Sequence, residues 1–348
     1  MNNISSIDLL HLKPDDLDLV FRSEDRRLLE EMALAARELT QQNFGRAVSL
    51  FAPLYISNYC QNQCVYCGFQ THAGIQRKKL TFDEIESECK ALAATGIRSC
   101  LILTGESGYH SPPSYIREAI TIAAAYFPYL AIEVYPLETV EYRDLCRAGV
   151  DGVTLYQETY DRSRYDELHP AGPKKNYDYR VQAPERIARA GIRHISMGVL
   201  LGLSDWVKDV TDLFRHLRFL EKRFSGIEFG LSFPRLRRVS GDEHSYFEVS
   251  DRTMVKIISA ARLLFPHAGI SMSTRENPEF RDRIIELGIT KMSAASSTRV
   301  GGYVDKKSSY DDGQFSVHDQ RSLAEIKSML IRKGYDPVMT EWRNIVNQ

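Results

Sequence analysis

The sequence predicts an α/β protein, a (β/α)8 barrel with N-terminal helices packed outside it. Three observations predict this. Short apolar runs rich in β-branched residues recur eight times along the chain. Between the runs lie turns and amphipathic helical patterns. Polar residues gather where the runs end, which is where a barrel of this kind builds its site. With 348 residues, 43% hydrophobic and 26% charged, the chain can bury a core of that size. A doubly wound open sheet is the competing layout, and spacing alone does not separate the two. Residues 1–50 are expected to form a helical lead-in, and residues 51–340 the barrel with a C-terminal helix.

In chain order the strands are APLYIS (52–57), SCLILTG (99–105), YLAIEVYP (129–136) and GVTLYQE (152–158). They continue as HISMGVLLG (194–202), IEFGLSFP (227–234), GISMSTR (269–275) and KMSAASS (291–297). Among the helices, TFDEIESECKALAATG places Phe82, Ile85, Cys89 and Leu92 on one face, with Gly96 as its stop. DWVKDVTDLFRHLRFLEKRF and PEFRDRIIELG have the same character.

Parallel strands buried on both faces should be apolar throughout. Here the ends carry Thr104-Gly105-Glu106, Glu133, Gln157-Glu158, Ser232 with Arg235, and Thr274-Arg275-Glu276. Each alone reads equally well as a helix cap or solvated loop. On a barrel they would converge on one mouth.

Net charge is −1 and no basic block stands out, so nucleic acid and anionic membranes are not expected partners. The start, MNNISSIDLLHLKPDDLDLV, has neither the basic nor the apolar region of a secretory signal. No apolar run approaches the roughly 18 residues that span a bilayer. Cys89, Cys100 and Cys146 stand apart among apolar residues, as reduced thiols do. A cytoplasmic protein is expected.

Cys60, Cys64 and Cys67 form C-x3-C-x2-C after the first strand. A disulfide would leave one thiol over in a reducing compartment. A structural zinc wants a fourth ligand, for which His72 is a weak offer. Three thiolates suit an iron–sulfur cube with one iron left free. Three core thiols on a helical face are disfavoured, because Gln61, Asn62 and Gln63 are too polar.

The cysteine motif after a first barrel strand, with Tyr66 before its last cysteine, resembles the radical S-adenosylmethionine superfamily. That resemblance implies a 4Fe–4S cluster on Cys60, Cys64 and Cys67, whose open iron chelates S-adenosylmethionine. The cofactor is then cleaved to a 5′-deoxyadenosyl radical, which removes hydrogen from a substrate. Leu103-Thr104-Gly105-Glu106 resembles the superfamily's second-strand GGE element, with Thr in place of the first Gly. Glu158 matches a polar residue that contacts the ribose or methionine. Gly198 to Asp205 resembles G-x-I-x-G-x-x-E, which lays Leu200 against adenine. The resemblance thus implies a cofactor pocket of Tyr66, Thr104, Gly105, Glu106, Glu133, Glu158, Arg180 and Leu200.

Longer segments are similar to one family, the tyrosine lyases of thiamine thiazole biosynthesis. They include SNYCQNQCVYCGFQ, YQETYDRSRYDELHPAGPKKNYDYR, LSFPRLR, ISMSTRENPEFRD and KMSAASSTRVGGY, in that family's order. The resemblance implies cleavage of the Cα–Cβ bond of L-tyrosine to 4-methylphenol and 2-iminoacetate, after hydrogen removal from the amino nitrogen. It implies a flavodoxin- or ferredoxin-like reductant and a thiazole synthase subunit as partners. Arg235 and Arg275, with Ser232, would hold the substrate carboxylate, for which an arginine fork is suited. The bland alternative makes RLRR (235–238) a solvated loop. Relatives on this scaffold include a tryptophan lyase and the tyrosine lyase that matures iron-only hydrogenase. The maturase has a further cysteine-bearing domain, and no cysteine follows Cys146 here, so its carbon monoxide and cyanide chemistry is not expected. Sulfur insertion of the biotin synthase kind would need a second cluster, for which the single cysteines offer no motif. A non-enzymatic iron–sulfur or zinc scaffold would bind no S-adenosylmethionine.

Overall fold

The computed structural model describes residues 8–237, 246–305 and 313–339; Arg238 of the RLRR run and the first seven residues of the lead-in lie outside these. Eight parallel strands close into a barrel: β1 (Ala47–Ser57), β2 (Ser99–Thr104), β3 (Tyr129–Glu133), β4 (Gly152–Glu158), β5 (His194–Val199), β6 (Glu228–Ser232), β7 (Gly269–Met272) and β8 (Lys291–Ser293). Closure is carried by β1. It pairs with β2 from Ala52↔Cys100 to Ser57↔Thr104, and with β8 from Ser49↔Lys291 to Phe51↔Ser293. The open-sheet layout is thereby excluded.

β1 begins at Ala47, inside the expected lead-in, because its first residues pair with a short strand β9 (Asp336–Val338) below β2. Nothing in the sequence flagged DPV as a strand. Its proline cannot donate to a ladder, and it is tolerated here at the sheet's margin. Two lead-in helices lie against the outer wall, as expected. Arg26–Phe44, capped by Asp25, packs on Asp251–Leu264. Leu17–Arg22 packs on Trp206–Arg223, with the Phe21 and Trp206 rings 5.1 Å apart. Among the described residues no helix is long and apolar enough to cross a membrane.

The helix Phe82–Ala94 starts at a reciprocal cap. Thr81 Oγ1 accepts from the Glu84 amide at 3.3 Å, and the Glu84 carboxylate accepts from the Thr81 amide at 2.7 Å. Ile85, Cys89 and Leu92 face the core and Gly96 stops the helix at φ +95°, as predicted. Phe82 departs from that face. It is 44% exposed and stacks on the Tyr115 ring.

Barrels of this kind are usually plugged by layers of Val, Ile and Leu. Here many axis-facing positions are small hydroxyl residues, among them Ser99, Thr154, Ser196, Ser271 and Ser293, so a cavity runs into the barrel. Its floor carries Tyr129, whose hydroxyl lies 2.9 Å from His194 Nδ1, with the Lys291 ammonium 4.4 Å from the Tyr129 ring centre. Gly152 makes this possible, since a Cβ there would lie 2.6 Å from the Tyr129 hydroxyl. Burial, aided by Lys291, pushes His194 down to about 3, so the imidazole is neutral.

One buried ion pair fixes the chain that follows β8. Arg281 binds Asp319, both fully buried, and also reaches Ser293 O at the end of β8. Removing one partner strands the other's charge. Asp319→Ala is therefore expected to cost about 3–5 kcal/mol in urea unfolding; a loss under 1 kcal/mol would contradict this role.

Candidate active site

Part of the predicted polar set, Glu133, Glu158, Ser232, Thr274 and Arg275, lines one cavity at the barrel mouth. Thr104, Glu133, Glu158 and Ser232 are each the last residue of their strands, and Arg275 stands three residues beyond β7. Glu133, Glu158, Ser232, Arg275, Leu200, Tyr66 and Cys67 all line the cavity.

The cysteine loop leaves β1 at Asn58 and is anchored by its own side chains. Asn58 donates to Gln76 O at 2.8 Å and accepts from the Lys78 amide at 2.7 Å. Arg77 donates to the carbonyls of Asn58, Phe69 and Gln70. The loop then runs against the end of β2. The Gln61 amide donates to Glu106 O, and the Asn62 side chain donates to the Glu106 carboxylate at 2.7 Å. This contact explains the glycine of Thr104-Gly105-Glu106: a Cβ at 105 would lie 2.4 Å from Tyr59 O. Gly105→Ala must displace the cysteine loop. We expect a loss of about 1–3 kcal/mol in stability together with reduced iron content; full iron loading at unchanged stability would contradict the packing.

Cys64 lies in an apolar nest with Tyr66, Leu168, Leu200 and Leu203, and Cys67 lines the cavity. Burial pushes both thiols up, and the neighbouring cysteines add to the rise, Cys67 and Cys60 for Cys64 and Cys60 for Cys67. Such a site needs added positive charge before it can hold thiolates, and iron supplies it. Among the described residues no three His, Cys, Asp or Glu groups converge on a point that would hold a single ion. A tetrahedral zinc demands sulfurs about 2.3 Å from one centre, whereas a four-iron cube spreads its thiolates over three corners. Three soft thiols on one loop fit the cluster.

Around the loop is a polar wall. Glu158 has φ +74° at a bulge in β4, a strained conformation for a non-glycine residue. That kink aims its carboxylate at Lys174 (2.6 Å) and Arg180 (3.7 Å). Burial works against the Lys174 ammonium, but Glu158 outweighs it and keeps it charged. Arg180 also donates to Tyr156 O, which ties the loop after β4 back to its strand. Tyr66 packs beside Cys64, its hydroxyl 2.8 Å from His169 Nε2. Burial pushes His169 down to about 2, so the ring is neutral. Its Nδ1 donates to Tyr165 O, and Nε2 therefore accepts from Tyr66. Among the described residues, two buried groups at strand ends have no hydrogen-bond partner, Thr104 Oγ1 and Gln157 Nε2; neither residue lines the cavity.

Of the expected residues, Cys60, Cys64, Thr104, Gly105, Glu106, Arg180 and Arg235 are absent from the cavity lining, and the contacts of Glu106 and Arg235 turn them elsewhere. Glu106 is absent from the cavity lining and faces the cysteine loop. Arg235 does not line the cavity either: it grips buried Glu276, reaches Asp251 at 2.7 Å and lies over the Phe280 ring. Its fork is already filled. Arg275 differs. Its guanidinium makes no hydrogen bond among the described residues and lies 3.4 Å from the Phe315 ring centre, facing the cavity. Sequence reasoning missed Lys174, Arg237, Gln314 and Phe315. Lys174 was inside a quoted similar segment, and Arg237 inside the RLRR run. Gln314, which accepts from Tyr55 and approaches Cys67 Sγ at 4.0 Å, carried no signal.

A barrel mouth with three soft thiols and an adjoining polar cradle defines a radical S-adenosylmethionine enzyme, and the family model of that superfamily matches residues 54–215. Residues 232–336 match the biotin and thiamin synthesis associated domain. As a radical S-adenosylmethionine enzyme, the chain uses a 4Fe–4S cluster and S-adenosylmethionine as cofactors. The chain belongs to the 2-iminoacetate synthase family. It is 38% identical to the 2-iminoacetate synthase of Salmonella typhimurium over 97% of this chain and 89% of that protein. Against the enzyme of Escherichia coli it is 39% identical, covering 95% and 88%. The FeFe-hydrogenase maturase HydG of Carboxydothermus hydrogenoformans superposes with a TM-score of 0.89 at 33% identity, over 95% of this chain and 76% of that one.

Proposed function

We propose that this chain cleaves the Cα–Cβ bond of L-tyrosine to 4-methylphenol and 2-iminoacetate for thiazole formation. The observation that carries the reading is Arg275, an unpaired guanidinium facing a deep cavity beside the cysteine loop. An amino-acid carboxylate in such a cavity needs a fixed cation, and Arg offers two parallel donors. Cys60, Cys64 and Cys67 hold the cluster, and Tyr66, Thr104, Gly105, Glu158, Arg180 and Leu200 form the cofactor's surroundings. When bound, these two groups supply a 5′-deoxyadenosyl radical.

The chain's own residues do the rest. Arg275 fixes the substrate carboxylate. Ser232 accepts from the Tyr156 hydroxyl at 3.0 Å, which leaves its own proton free to donate into the cavity. Arg235 acts on the clamp through Glu276, the residue next to Arg275. Phe315 covers Arg275 and keeps water from it. Because an imine hydrolyses readily, handover to a thiazole synthase subunit suits the product, and a flavodoxin- or ferredoxin-like protein of the cytoplasm suits the cluster as reductant.

Two experiments test this. Reduced enzyme with S-adenosylmethionine should form 4-methylphenol from tyrosine and nothing comparable from tryptophan; the reverse preference would make the indole relative the better reading. Glu158→Gln should keep its iron yet bind S-adenosylmethionine about ten- to hundred-fold more weakly, the worth of one charged hydrogen bond. An unchanged dissociation constant would remove Glu158 from the cofactor pocket.

A further inference from the structure

Glu133 is the one acid at the cavity wall that no structural role absorbs. It ends β3, faces the cavity, and makes no hydrogen bond or ion pair among the described residues. The groups that face it are Tyr55 from β1, Tyr156 and Glu158 from β4, Lys174 and Arg180 from the segment after β4, and Arg275 beyond β7. Cavity-facing Glu133 and Arg275 are thus an unpaired anion and an unpaired cation on one chamber. An amino acid is a zwitterion, with its ammonium and carboxylate held two bonds apart. Their charges are opposite in sign to its two ends, and both line the same cavity.

The chemistry asks for such a group. A tyrosine ammonium has no lone pair, and hydrogen removal from it would leave a radical cation. A neutral amine gives a neutral aminyl radical, which breaks Cα–Cβ to an imine and a 4-hydroxybenzyl radical; one electron from the reductant and one proton then convert that radical to 4-methylphenol. Something must first take the proton. We propose that Glu133 is the base that receives a proton from the substrate ammonium, leaving a neutral amine and a neutral carboxylic acid. This rests on the tyrosine reading above and replaces the cofactor contact expected of Glu133 from sequence. Burial, then Glu158, pushes its carboxyl up to about 7, while Arg275, Lys174 and Arg180 oppose the rise. A carboxyl poised near neutrality is matched to proton transfer. Below that pH it is protonated and idle; above it, it is ionised and competent.

The test uses reconstituted holoenzyme as wild type, Glu133→Gln and Glu133→Asp. In wild type, kcat/KM for tyrosine and equilibrium tyrosine affinity should both rise with pH through about 7. In Glu133→Gln, iron content and S-adenosylmethionine affinity should match wild type, while 4-methylphenol formation falls roughly 10²–10⁴-fold. The residual rate should climb tenfold per pH unit toward the ammonium's own ionisation, and tyrosine affinity should lose its step near neutrality. Glu133→Asp should restore the step in part. A Gln variant that binds S-adenosylmethionine tenfold more weakly would make Glu133 a cofactor ligand and overturn the proposal. A Gln variant with the wild-type rate and pH profile would overturn it too. Wild type that forms no 4-methylphenol at all would remove the tyrosine reading, and the base with it.

Discussion

Alanine in place of Cys60, Cys64 or Cys67 is expected to strip the cluster from the protein and abolish all cleavage of S-adenosylmethionine. The three thiols share a loop pinned by Asn58, Arg77 and the end of β2, and each lies within electrostatic reach of the others. Three corners of a cube cannot be held by two. Cys89 and Cys100, both buried outside the cysteine loop, and Cys146, whose thiol approaches Gly191 O at 3.7 Å, should tolerate Ser or Ala with iron retained. Iron analysis and visible absorbance read the result. Equal loss of iron from a Cys146→Ala protein would sink the three-ligand assignment.

Arg275→Ala should uncouple the two halves of the reaction. Cluster and cofactor pocket are untouched, so 5′-deoxyadenosine still forms, but 4-methylphenol does not. Truncating one side of a desolvated charge pair costs about 2–5 kcal/mol, which is at least roughly thirty-fold in tyrosine affinity. Arg235→Ala should behave differently. It takes the close partner from Glu276, which is 1% exposed, and leaves it Arg237 at 3.7 Å, so its signature is a stability loss of up to about 3–5 kcal/mol. If Arg235→Lys lost tyrosine binding at unchanged stability while Arg275→Lys kept both, the clamp would be the other arginine.

Much of this was legible in the chain. All eight barrel strands appear where β-branched runs alternate with helical periods, because local period and global topology agree in a barrel. The cysteine loop and Thr104-Gly105-Glu106 were readable because backbone contact there dictates residue type, as the Tyr59 carbonyl against Gly105 shows. The arginines were harder. Sequence placed Arg235 and Arg275 equally near strand ends, and only the fold shows that Glu276 and Asp251 fill one of the two forks. Phe315 and Gln314 were invisible. They reach the site through a return of the chain after β8 that the buried Arg281–Asp319 pair holds, a contact no periodicity encodes. The strand β9 was missed because three residues with a central proline carry no strand signal.

Carbon tracing tests the central claim most directly. Tyrosine labelled with carbon-13 at Cα alone, given to the reduced holoenzyme with S-adenosylmethionine, should yield unlabelled 4-methylphenol. The label should appear in the two-carbon product, 2-iminoacetate or the glyoxylate it hydrolyses to. Label in the phenolic product, or its absence from any two-carbon acid while 5′-deoxyadenosine accumulates, would mean that this barrel breaks a different bond.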